Sequence, residues 1–121
     1  MPMISPLKLY FLVMYNLSGI QKGIQAGHSG LEYAKKYGDT PLYKEFIDNH
    51  KTFILLDGGG SEDMEQYLKY IESLGVNYAE FREPDLNNSV SAIAFIVSDE
   101  ERESPDSKIG LFLSHFNFAR N

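Results

Sequence analysis

The chain has 121 residues, which is the size of one ordinary domain and is enough to bury a hydrophobic core. It contains no cysteine, which excludes disulfides, thiolate-bound metal centres and thiol nucleophiles and fits a reducing cytoplasm, where we expect the protein. A formal net charge of -6 argues against a broad basic surface that follows a nucleic-acid backbone, but it is compatible with a small basic patch.

The first predicted element is a strand within KLYFLVMYNLS. Aromatic and branched residues dominate this stretch, and its continuous apolarity predicts burial on both faces, as in the middle of an α/β sheet. The apolar run from Leu7 to Tyr15 is too short to cross a membrane, and no small-residue cleavage signal follows it. We therefore expect a buried central strand and no contact with a membrane.

A helix follows in GIQKGIQAGHSGLEYAKKYG. Ser18 is its predicted N-cap, and Gly38 is predicted to end it as a left-handed residue. The apolar residues of this helix fall on one stripe of the helical wheel: Ile20, Ile24, Leu31 and Ala34. We predict that this stripe faces the core, as in an ordinary amphipathic helix.

A polar flank lies beside that stripe, and its members follow one another at helical spacing: Gln21, Gln25, His28 and Glu32. This spacing places His28 at the border between core and solvent, on the rim of a cleft. A half-buried histidine that is satisfied by a neighbour is the competing interpretation. Glycines recur every four residues on the other flank, where we expect another backbone to approach closely: Gly19, Gly23 and Gly27.

Two helices and a second strand occupy the middle of the chain. TPLYKEFIDNHK predicts a short helix with Thr40 as its N-cap and proline at its first position. KTFILLDGGG predicts the second strand and a glycine turn. SEDMEQYLKYIESLG predicts a helix that is capped by Ser61 and ended by Gly75.

The last third of the chain predicts two paired strands and a tail. VNYAEFRE and VSAIAFIV predict strands that pair antiparallel through a short turn. SDEERESPDS predicts a charged loop, and KIGLFLSHFNFARN predicts a last helix or an extended tail that packs on the domain or on a second copy. The whole pattern indicates a single α/β domain with a four-stranded mixed sheet flanked by helices. We assign residues 1–97 to this domain and residues 98–121 to the charged loop and the apolar C-terminal segment.

A second candidate for chemistry is FREPDLNNS, where a strand ends in carboxylates and amides. Glu83, Asp85 and Asn88 would lie beside the rim of the first helix, and open α/β sheets often bind ligands at strand ends. Pro-Asp and Asn-Asn are also ordinary turn residues, and composition alone favours that interpretation.

Two motifs together resemble the peptidyl-tRNA hydrolase 2 family, in particular its short bacterial and phage branch. They are QAGHS on the first helix and EPDLNNSVSAIAF at the last strand, and the likeness extends over about residues 7–97. The resemblance implies a four-stranded mixed sheet and cleavage of the ester that joins a peptide to tRNA. By position, Gln25 and His28 match the helix signature, and Ser91 matches a hydroxyl residue at the start of the last strand.

Three functions remain open from the sequence. The first is hydrolysis of an RNA-linked ester, in which His28 serves as general base or orients the water, and Gln25 positions it. Asp85 or Glu83 would hold or activate that water, and the choice between them stays open because the family's acidic residue falls in a different register here. Lys22 and Arg82 would contact phosphate, and Gln25, Asn88 and Ser91 would contribute to substrate binding.

The second function keeps this site and changes the substrate to a small nucleotide, such as a cyclic dinucleotide signal that a phage would remove as counter-defence. A compact ligand of this kind needs only one or two cations. The third function is non-catalytic nucleotide binding, with the C-terminal segment forming a homodimer. We assign no cofactor and no metal ligand for any of the three, and whether the reaction needs a metal stays open.

Overall fold

A computed structural model describes residues 5–121, so the first four residues of the predicted domain lie outside the described residues. The described chain contains four strands: β1 (Leu7–Val13), β2 (Thr52–Asp57), β3 (Tyr78–Glu83) and β4 (Ser89–Ser98). They form one mixed sheet in the order β2-β1-β4-β3. The predicted α/β class with a four-stranded mixed sheet is confirmed.

β1 is an interior strand, as predicted, because it pairs in parallel with β2 and antiparallel with β4. Its side chains are almost all buried, on both faces of the sheet. β3 and β4 pair antiparallel, which was also predicted from the short turn between them. The parallel pairing places Val13 opposite Asp57, so the carboxyl ends of β1 and β2 meet at one edge of the sheet.

Five helices between residues 5 and 121 cover the sheet: α1 (Gly19–Tyr37), α2 (Pro41–Asn49), α3 (Ser61–Ser73), α4 (Asp99–Glu103) and α5 (Lys108–Leu113). None of the helices in this part of the chain has both the length and the apolarity that a membrane crossing requires. One hydrophobic cluster contains residues of α3 and α5, and the other contains residues of α1 and α2. The sheet therefore has helices on both faces.

Most of the predicted helix ends are confirmed. Ser18 and Thr40 cap α1 and α2 through side-chain oxygens that accept backbone N–H groups. The cap of α3 is wrong by one residue, because Gly60 is the N-cap and Ser61 is already helical. Gly38 ends α1 in a right-handed conformation with φ -58°, so the left-handed prediction is wrong there. Its N–H still bonds to the carbonyl of Ala34, which continues the helical hydrogen-bond pattern.

The predicted orientation of α1 is wrong. Ile20 and Leu31 of the predicted core stripe are 79% and 71% exposed, and Ile24 is also exposed. The residues that face the sheet are polar, small or aromatic: Lys22, Gln25, Ala26, Ser29 and Tyr33. This orientation of α1 is explained by the small residues that line the sheet beneath it: Ala79, Ala92 and Ala94. Small residues on both surfaces let the helix lie close to the sheet, and close packing takes precedence over bulk hydrophobicity.

The predicted close approach of another backbone is confirmed at Gly19, where an added Cβ would lie 3.3 Å from a tail Cα atom, but it is wrong at the other two glycines. A Cβ atom added at Gly23 or Gly27 would meet no atom within 4 Å, so no backbone packs closely there. These two residues border an open apolar groove between α1 and α2. At Gly30 an added Cβ would lie 3.3 Å from the ring of Phe11, so this glycine does allow a close approach.

The C-terminal residues belong to the same packed unit as the sheet. The predicted charged loop contains α4, because Ser98 caps it and three acidic residues occupy its first turn, where the helix dipole favours them. Ile109 and Leu113 of α5 are buried in the core. The final residues run along β2, and Phe118 pairs with Leu56 in an antiparallel bridge. The segment therefore packs on its own domain, although the side chain of Phe118 is exposed.

The two leucines of α5 provide a matched test of this packing. Leu113 is fully buried, whereas Leu111 is 56% exposed. We expect Leu113→Ala to lower the free energy of unfolding by about 2–5 kcal/mol, because it leaves a cavity in the core. Leu111→Ala should change it by less than about 0.5 kcal/mol. Urea denaturation measures both, and equal losses would show that α5 does not pack as described.

Candidate functional site

A buried glutamine joins the two motifs that the sequence singled out. Gln25 lies on the sheet-facing side of α1 and is buried. The Oγ atom of Ser91, near the start of β4, donates to its Oε1 atom at 2.5 Å. The Nε2 atom of Gln25 donates to Oε2 of Glu83, at the end of β3, at 3.0 Å. One amide therefore ties the helix to the ends of two strands.

Glu83 is the carboxylate that this arrangement holds in place. Its second oxygen, Oε1, accepts the backbone N–H of Asp85 at 3.2 Å. The hydrogen bond from Gln25 is the main cause that lowers the pKa of Glu83, followed by the bond from Asp85, and nearby His28 lowers it further. These bonds favour the ionised form of the carboxyl. They therefore stabilise the folded protein at a pH above the usual glutamate pKa, and this stabilisation is lost as the pH falls through the lowered pKa.

His28 lies on the same rim, one turn after Gln25. Its ring stacks on Phe81 of β3, with the ring centroids 4.3 Å apart and the planes at 14°. The residue is exposed, so the stacked imidazole is accessible to a substrate. Strand alternation explains the grouping, because Phe81 and Glu83 both project from β3 toward α1. The structure thus brings together His28, Gln25, Glu83 and Ser91, which we call the His28 cluster.

The turn after β3 contributes backbone N–H groups, rather than side chains, to the hydrogen bonds around Glu83. Pro84–Leu86 form one 3-10 turn, which presents the N–H of Asp85 to Glu83. Asn88 has φ 58°, a left-handed conformation that asparagine tolerates well, and its N–H bonds to the carbonyl of Glu83 at 3.0 Å. The geometry therefore joins Glu83 to Gln25, whereas the side chains of Asp85 and Asn88 are exposed on the turn.

Arg82 does not join the His28 cluster. It projects from the opposite face of β3, where its Nη1 atom lies 2.6 Å from Oε1 of Glu65 on α3. Its Nε atom lies 3.0 Å from Oε2 of Glu80. Two carboxylates therefore neutralise this guanidinium, and the prediction that it shares a phosphate site with His28 gains no support.

Lys22 is also engaged within the chain. It is only 3% exposed, and its Nζ atom lies 2.7 Å from Oδ1 of Asp57, the last residue of β2. The same ammonium donates to the carbonyl oxygen of Arg120 at 2.6 Å. This geometry directs Lys22 toward β2 and the tail rather than toward a free phosphate position.

Sequence reasoning missed Asp57 and Arg120 as the partners of Lys22. One signal was present, because Lys22, Gln25 and Ser29 recur at helical spacing and so share a face of α1. A polar stripe of this kind predicts that the face meets polar groups of the sheet. The tail partner had no local signal, since 98 residues separate it from Lys22.

Comparison with known proteins adds no relative, because no protein-family model and no curated protein matches the chain. Within residues 5–121, no three histidine or acidic side chains come together as a metal site would require. The chemical interpretation therefore depends on the His28 cluster itself. It offers an ionised carboxylate, a stacked imidazole and a buried amide that holds the carboxylate in place.

The link between Gln25 and Glu83 can be tested directly. We expect Gln25→Ala to raise the pKa of the Glu83 carboxyl toward its usual range, because the main hydrogen bond to the ionised form is lost. Carbon-detected NMR titration of that carboxyl measures the change. Gln21→Ala, one turn earlier on an exposed position, is the matched control and should leave the Glu83 titration unaltered. An unchanged pKa in Gln25→Ala would contradict the described geometry.

Proposed function

We propose that the protein is a hydrolase of the peptidyl-tRNA hydrolase 2 type, with the fold of that family and a nucleotide-containing substrate. The observation that supports this most is the hydrogen-bonded chain from Ser91 through Gln25 to Glu83. It connects QAGHS with EPDLNNSVSAIAF, the two motifs that carry the resemblance, although they lie far apart in sequence. A site built from both motifs is what the family resemblance requires.

In the proposed reaction His28 acts as the general base. The imidazole takes a proton from water, and the resulting hydroxide attacks the carbonyl carbon of the peptidyl ester. The bond from that carbon to the 3′ oxygen of tRNA breaks, and the oxygen leaves with the proton, which yields a free peptide acid and free tRNA. A base of this kind contributes about 10²–10⁴ in rate.

Glu83 has the second role in this proposal. A carboxylate whose pKa is lowered is a weak base, so Glu83 is better suited to orienting the water than to removing its proton. Ser91 and Gln25 are positioning residues, since they are buried and act through Glu83. Asp85 contributes its backbone N–H to the same carboxylate.

A specific observation favours a second candidate substrate, a small cyclic nucleotide. Lys22 and Arg82 are both paired with carboxylates, and the chain carries a net charge of -6. The two cations that the sequence assigned to phosphate are therefore not free to follow a tRNA backbone, whereas a compact ligand needs few cationic contacts. The same histidine could direct water at phosphorus, so that one P–O bond forms and the ring P–O bond breaks.

The third hypothesis, non-catalytic nucleotide binding by a homodimer, stays a prediction. The apolar residues that were expected to form that dimer are largely used within the chain, since Ile109 and Leu113 pack in the core. Packing of the C-terminal segment on its own domain therefore has more support than self-association through that segment.

The chemistry is tested with His28→Ala on two substrate classes, N-acetyl-aminoacyl-tRNA and a panel of cyclic dinucleotides. We expect the wild-type protein to cleave one of them and His28→Ala to lose about 100-fold or more in turnover, because the base is gone. His28 is exposed, so the melting temperature should hardly change. Product formation is followed by chromatography.

Gln21→Ala, an exposed position on the same helix, serves as the control and should keep wild-type turnover. Wild-type turnover in His28→Ala would contradict the role of the imidazole. Retention of a substrate without any cleavage by the wild-type protein would replace the hydrolase proposal with the binding hypothesis.

A further inference from the structure

A cavity of about 600 Å³ opens where the parallel strands end. Tyr15 follows β1, and Asp57 and Gly58 stand at the end of β2. The carboxyl ends of parallel strands are where open α/β sheets bind ligands, and the volume lies within the range of about 300–1,000 Å³ that small-molecule sites occupy. The cavity shares no lining residue with the His28 cluster.

The walls of this cavity are rich in aromatic rings. Tyr67 of α3 and Phe116 of the tail meet edge to face, with centroids 5.1 Å apart, and Phe112 packs against Phe116 at 4.9 Å. Tyr15 is 57% exposed at the mouth, so its ring face is free to stack on a ligand. Aromatic surfaces of this kind bind the flat face of a nucleobase, because every base has a π-face.

The tail supplies the polar part of the wall through His115, Asn117 and Arg120. Within residues 5–121, the ion pairs of the structure do not include the Arg120 guanidinium, in contrast to Lys22 and Arg82. A free guanidinium is well matched to phosphate oxygens, which it can bind with two parallel hydrogen bonds. The Asn117 amide offers both a donor and an acceptor to the edge of a base.

Asp57 also lines the cavity, but its negative charge is compensated. Lys22 lies 2.7 Å from Oδ1, and Oδ2 accepts the backbone N–H of Arg120 at 3.2 Å. The carboxylate is thus occupied with holding the tail, and it leaves the guanidinium of Arg120 available.

Hydrogen bonds attach the tail to β2 and to α1. The N–H of Asp57 donates to the carbonyl of Asn117, and the N–H of Ala119 donates to the carbonyl of Leu55, both at 2.9 Å. The buried Lys22 ammonium completes the attachment at the Arg120 carbonyl. A buried charge is costly unless it is paired, and the tail carbonyl is one of the groups that satisfy the Lys22 ammonium.

We propose that this cavity is a binding site for a mononucleotide. The base stacks on Tyr15 and Phe116, Asn117 contacts its edge, and Arg120 binds the phosphate. The proposal goes beyond the proposed hydrolase function, because it assigns a second site of different residues at which binding needs no hydrolysis. The two sites are neighbours, since Met14, which precedes Tyr15, bonds through its N–H to the carbonyl of Ser91 at 3.0 Å.

Calorimetric titration with AMP, GMP, CMP and UMP tests the site on the full chain. We expect at least one nucleotide to bind, and its nucleoside and ribose 5-phosphate, which each lack one half of the ligand, to bind at least tenfold more weakly. These probes have no peptidyl ester and no cyclic phosphodiester. Failure of nucleotide binding and failure of hydrolysis are therefore separate outcomes.

Two variants locate the ligand. Arg120→Ala should weaken the nucleotide at least tenfold and leave the nucleoside unchanged, whereas Tyr15→Ala should weaken both alike. Both residues are exposed, so neither change should disturb folding. The matched controls are Lys108→Ala and Phe53→Ala, which are exposed positions outside the cavity lining.

The expected pattern in all four variants supports the site. Absence of binding by every nucleotide at millimolar concentration would overturn the proposal. Nucleotide binding that survives unchanged in both Arg120→Ala and Tyr15→Ala would overturn it as well, because the ligand would then lie elsewhere.

Discussion

The buried amide of Gln25 is the interaction on which the arrangement of the candidate site depends. Its oxygen accepts from Ser91 on β4, and its nitrogen donates to Glu83 on β3, so one side chain sets the distance between α1 and two strands. A buried amide that lost either partner would carry an unsatisfied polar group, which costs about 1–3 kcal/mol. The same requirement fixes the Glu83 carboxylate relative to the rim on which His28 stands.

The observed packing of α1 on the alanine surface of the sheet satisfies this constraint as well. A helix that buried Ile20, Ile24 and Leu31 would turn Gln25 and Lys22 away from their partners. The observed helix instead packs small residues against the alanines of the sheet and leaves the large aliphatic residues exposed. Two buried polar side chains of α1, one helical turn apart, then contact the ends of the strands. Lys22 reaches β2 and the tail, and Gln25 reaches β3 and β4.

The sequence predicted well what depends on local signals. Strand β1 was recognised from its continuous apolarity, and Ser18 and Thr40 were recognised as caps because capping involves residues three apart. The α1 orientation was not predictable in this way, since hydropathy identifies an apolar stripe but does not show the alanine surface that it would have to meet.

The details of the site also depended on long-range geometry. A register shift pairs Phe81 with Ala92 but Arg82 with Val90, so Ser91 of β4 has no partner on β3, and the sequence does not reveal this irregularity. The preference for Glu83 over Asp85 results from the 3-10 turn, which orients the Asp85 backbone toward Glu83. The contact between Lys22 and the tail was not predictable from local sequence, because only the complete fold brings the two together.

In the proposed hydrolase, His28 and Glu83, which come from the two motifs, act on one reacting water. A double-mutant cycle of His28→Ala and Glu83→Gln in kcat/KM, on whichever substrate class is cleaved, tests it most directly. We expect the double variant to be about as impaired as His28→Ala alone, because in the proposed mechanism the carboxylate orients a water that only the imidazole activates. Losses that multiply would show that the two residues act independently and would contradict a single shared site.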